Sequence, residues 1–143
     1  MNEDTINLLR ECNAGIKMGV KSLDDVLEHV RDERLKNLLL RSKDIHSSLG
    51  DKTHEYLLEY QDEGKEPALM AKVMSWFKSN VKMEGENSDC MAADVITDGC
   101  NMGIKSLYKY LHQFPGAEQK VKDLTGDLIR AEEALVEDLR EYL

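Results

Sequence analysis

The chain has 143 residues, 41% of them hydrophobic and 33% charged, with nine glycines and two prolines; at that size it can hide roughly two thirds of its unfolded surface, without a disulfide framework or a structural metal. Twenty-eight acidic residues against 19 basic ones leave a formal charge of −9. That is the wrong sign for neutralising nucleic-acid phosphates or lying on an anionic membrane, so neither is expected as a partner. The longest aliphatic run is Leu38 to Leu40, the opening Met1, Asn2, Glu3, Asp4 has no basic-then-apolar signal pattern, and three cysteines do not make a disulfide framework. The expectation is an acidic cytoplasmic protein with free thiols.

Leu9, Cys12, Ile16, Gly19, Leu23, Val26 and Val30 alternate three and four residues apart, the seam of a helix packed at a shallow angle in a bundle. This predicts helix A over about residues 3 to 30. Leu35, Leu38, Ser42, Ile45, Leu49 and Tyr56 continue the rhythm and predict helix B over about 32 to 62, stopped before Gly64. Pro67 suits a first helical turn, and Leu69, Met70, Val73, Trp76, Phe77 and Val81 share one face, predicting an amphipathic crossover helix over about 67 to 83. Its soft, Met-rich face reads as a lid on the bundle before it reads as a partner surface. Asn87 or Ser88 can cap helix C, whose stripe includes Ala93, Ile96, Cys100, Ile104, Leu107 and Leu111 up to Pro115. Val121, Leu124, Leu128, Ala131, Leu135, Leu139 and Tyr142 carry helix D, which closes a second hairpin over about 88 to 142.

The halves repeat. Cys12-Asn13-Ala14-Gly15-Ile16-Lys17 matches Cys100-Asn101-Met102-Gly103-Ile104-Lys105 at an offset of 88. The offset shortens to 86 where Leu35 falls on Val121, Leu49 on Leu135, and Glu55-Tyr56-Leu57 on Glu141-Tyr142-Leu143. The change lands at the turn of Phe114, Pro115 and Gly116, so Val30-Arg31-Asp32 is the matching turn of the first half. A helix B of about 45 Å followed by a long connection lets helices B and C run parallel.

The duplicated hairpins, the connection from Gly64 to Asn87 with Met74-Ser75-Trp76, and the Gly99-Cys100-Asn101-Met102-Gly103 stretch resemble the ferritin-like superfamily. Within it they look like the small bacterial domains of unknown function, related to rubrerythrin, that have lost part of the metal site. The resemblance implies an all-α four-helix bundle of two repeated antiparallel hairpins with a crossover helix, able to dimerise. In metal-bearing members it implies di-iron oxidation or iron storage.

A di-iron bundle needs a Glu from each of two helices and a Glu-x-x-His from each of the other two. Three residues before His46, His29 and His112 stand Lys43, Val26 and Lys109. Asp51 and His54 have the spacing, but with Ile45 and Leu49 on the seam they fall on the outer face. Helix D carries Glu132 and Glu133 and no histidine. A reduced metal site remains, made of His46 and its repeat equivalent Glu132, with Asn13 and Asn101 nearby and iron, manganese or zinc as the ion. The plainer reading of the same residues, with Ser42, Thr53, Thr97 and Thr125, is a polar layer that satisfies itself and fixes register.

Cys12 and Cys100 sit at seam positions as small apolar residues; Cys90, in the first turn of helix C, is the candidate reactive thiol. Gly15, Gly19, Gly99 and Gly103 lie inside helices at a cost of about 0.5 to 1 kcal/mol each relative to alanine, which close helix contact would offset. No catalytic set and no cofactor motif emerges. The expected function is a non-catalytic structural or protein-interaction domain that binds itself, as a dimer, or another protein. The alternative is a degenerate metal-binding or iron-handling protein.

Overall fold

In the computed structural model the described residues are 3–60 and 87–143; the crossover helix expected over 67 to 83 lies outside them. They form an all-α four-helix bundle. Helix α1 runs Glu3–Leu27, α2 Glu33–Glu59, α3 Ser88–Gln113 and α4 Gln119–Leu139, followed by a short 3₁₀ turn, Arg140–Tyr142. Glu3 and Asp4 place negative charge at the positive end of α1. Asp32 starts α2 from an extended conformation, its side chain accepting from the Leu35 N–H at 2.9 Å, so the turn located by the repeat is a true helix boundary. Helix α3 ends where the Phe114 N–H reaches the Tyr110 carbonyl, one residue before Pro115, which cannot continue the ladder.

Hydrogen bonds between the ends define the topology. The Asp89 carboxylate, in the first turn of α3, accepts from the Arg31 N–H at 2.7 Å and the Asp32 N–H at 3.2 Å. Helices α2 and α3 therefore start at the same end of the bundle and run parallel. At the other end Asp4 accepts from the Gly116 N–H and the Thr5 hydroxyl from the Glu118 N–H, each at 2.8 Å, so α1 and α4 also start together. Lys120 pairs with Glu59 and the Tyr60 hydroxyl bonds Glu118, joining the end of α2 to the start of α4. Helices α1 and α2, α3 and α4, α1 and α3, and α2 and α4 are neighbours; α2 and α3 stand at diagonal corners, and α2 ends at the opposite end from where α3 begins.

The core divides into two apolar clusters. Leu23, Val26, Leu35, Leu39, Ile96 and Leu139 belong to one end; Leu8, Leu9, Ile16, Leu57, Val121 and Leu128 belong to the other. The stripe of α2 differs from the expected seam by one residue. Leu39, His46, Thr53 and Leu57 are buried, whereas Ile45 is 50% exposed. A buried histidine is tolerated there because it has partners, and that exchange turns the helix so its aliphatic neighbour faces outward.

Candidate functional site

Between the two clusters each of the four helices contributes one residue to a shared layer: Gly19 from α1, His46 from α2, Gly103 from α3 and Glu132 from α4. His46 is 2% exposed and Glu132 7%. The imidazole Nδ1 lies 2.8 Å from the Ser42 carbonyl one turn earlier; a carbonyl only accepts, so Nδ1 carries the proton and Nε2 faces across the bundle. There Nε2 stands 3.9 Å from Glu132 Oε1. Burial pushes the Glu132 carboxyl above its ordinary range, opposed by the interaction with His46.

The glycines make the layer possible. A Cβ on Gly19 would stand 3.2 Å from His46 Cδ2, and one on Gly103 only 2.6 Å from Glu132 Oε2. The backbones of α1 and α3 therefore lie flush against the imidazole and the carboxyl. Gly15 and Gly99 meet no described atom within 4 Å of a built Cβ, so the close approach belongs to Gly19 and Gly103, one from each half. Glu132 Oε2 is buried without a hydrogen-bond partner among the described residues, as is the Thr97 hydroxyl.

The other sequence-derived candidates are dispersed. Asn13 is buried but Asn101 is exposed, so the two do not converge. Thr125 and Thr53 bond the carbonyls one turn before them, and Thr125 also meets Cys12 Sγ at 3.2 Å; both lie about two turns from the layer. Asp51 and His54 are exposed on the outer face. Cys12 and Cys100 are buried and Cys90 is exposed. Burial raises the Cys12 thiol to about 12, although the Thr125 contact opposes the rise, and burial likewise raises Cys100.

Two features escaped the sequence reading. One is the use of Asp4 and Asp89 as caps on the opposite hairpin's turn, which no local spacing signals. The other is a groove of about 900 Å³ between α2 and the end of α4, whose only trace in the chain is Arg34 and Arg41 two turns apart. No protein-family model, curated protein or solved structure matches the chain.

Proposed function

We propose that this chain is a non-catalytic structural or protein-interaction bundle of ferritin-like type that associates with itself. The observation that carries the reading is the closed packing of the mid-bundle layer: His46 is fixed by the Ser42 carbonyl, faces Glu132, and both lie flush against glycine backbones. A layer filled in this way specifies which helix faces meet and at what height. The ferritin-like part of the reading is supported by the parallel, diagonal placement of α2 and α3 and by the repeat that relates His46 to Glu132.

A second reading, a degenerate metal-binding or iron-handling protein, draws on the unpartnered buried Glu132 Oε2. Iron, manganese and zinc take four or more ligands at fixed geometry. Among the described residues no group of three His, Cys, Asp or Glu side chains that could hold an ion is present. A second subunit could not reach a pair this deeply buried. Among the described residues the donor set, one imidazole and one carboxylate, does not fit a resident metal centre.

The test is metal content after exposure to Fe(II), Mn(II) and Zn(II) and desalting, with molar mass by light scattering on the same sample. The expected result is protein without stoichiometric metal and with a defined mass above that of one chain. Stoichiometric metal that vanishes in H46A or E132A overturns the structural reading in favour of the second.

A further inference from the structure

The groove between α2 and the end of α4 carries an unusual charge arrangement. Arg34 and Arg41 stand on its α2 rim, and Glu137, Asp138 and Glu141 on its other rim beside Arg140. Three guanidinium groups thus meet three carboxylates, and none of the six makes an ion pair among the described residues. The groove is locally neutral on a chain of net charge −9. Any two copies approaching through faces that carry their share of that excess repel each other. A neutral face with its two signs on opposite rims escapes the repulsion and turns it into a choice of surface.

We propose that this groove is the contact surface between two copies of the chain, related by a two-fold axis that runs along the groove parallel to the helices. The inference rests on the self-association reading above and names its surface. The antiparallel register of α2 and α4, marked by Glu59 with Lys120 and by His46 with Glu132, puts Arg41 level with Glu137 and Asp138. It likewise puts Arg34 level with Tyr142. Rotation about an axis parallel to the helices preserves height and exchanges the rims. Arg41 then meets the partner's Glu137 and the partner's Asp138, and the reverse contact forms on the other side of the axis. Leu38 and Tyr142, partly exposed in the groove lining, supply apolar area between the charged rims.

The experiment is sedimentation equilibrium of the full chain at low ionic strength and at about 1 M salt, where the screening length falls to about 3 Å. A dimer weakened by salt is expected. R41E and E137R should each weaken it about 100-fold, because each change enters the interface twice at about tenfold apiece. The double variant R41E/E137R should return to within about tenfold of the parent. Circular dichroism serves as the control, since both side chains are exposed and neither change should alter folding. A parent chain that stays monomeric up to about 1 mM overturns self-association and groove together. A dimer equally tight in R41E overturns the groove alone, and a double variant no tighter than the singles overturns the pairing across the rims.

Discussion

Removing one member of the His46–Glu132 pair strands the other in a space it entered only because it had a counterpart. H46L should therefore lower stability by about 3 to 5 kcal/mol, read as the loss of unfolding free energy in urea. The double variant H46L/E132L, which replaces the pair with apolar volume, should recover most of that loss. A loss in the double variant equal to the sum of the H46L and E132L losses would show that the pair contributes no coupling. The same residue sets a pH dependence. Burial raises the Glu132 carboxyl above its ordinary 4.5, so the folded chain keeps this proton to a higher pH than the unfolded chain. Its contribution is fully present below the unfolded value and is lost as pH rises through the folded one. E132Q, which cannot ionise, should lack this loss, so the stability difference between parent and variant should shift against the parent as pH rises from 4.5. At the facing glycine, G103A must displace a carboxyl 2.6 Å away and should destabilise by about 1 to 3 kcal/mol. G99A, with no described atom near its Cβ, should gain about 0.5 to 1 kcal/mol of helix propensity.

Along the helices, Asp89 is worth more than its place in a first turn suggests, because it receives two amides from the opposite hairpin's turn. D89A should cost about 1 kcal/mol and lower the melting temperature by about 2 to 4 °C. The three cysteines report burial along α1 and α3 in the same spirit. An aromatic disulfide reagent should titrate one thiol, Cys90, in the folded chain and all three in denaturant, since Cys12 and Cys100 are buried with raised thiol pKa values. The existence and approximate extent of the four described helices were legible in the sequence because the apolar period is long, and Pro115 and Gly116 make a chemical stop at a true boundary. The Arg31 turn was legible only through the repeat, since nothing in its own composition breaks a helix. The face of α2 was misplaced by one residue because Ile45 and His46 are neighbours, and hydrophobicity assigns the inward position to isoleucine. Only the knowledge that Glu132 and Gly19 wait across the bundle reverses that choice. Position 132 itself was legible through the offset of 86, which places it opposite its repeat equivalent.

For the molecule as a whole, the polar layer divides the apolar interior into two clusters, each built from all four helices. A shift of one helix along its axis would move His46 or Glu132 into an aliphatic cluster, so the layer penalises wrong registers more than it adds to overall stability. The parallel placement of α2 and α3 was anticipated from the length of the connection, yet what shows it is a set of contacts 58 and 112 residues apart. Such contacts have no local signature. They also provide a built-in gauge. The amides of Arg31, Asp32, Gly116 and Glu118 are each held by a side chain of the opposite hairpin, so those four hydrogens exchange with solvent when the hairpins part, even if each hairpin stays helical. Their exchange rates should move together, and apart from those of amides inside either hairpin, giving a direct reading of how firmly one half of the repeat holds the other.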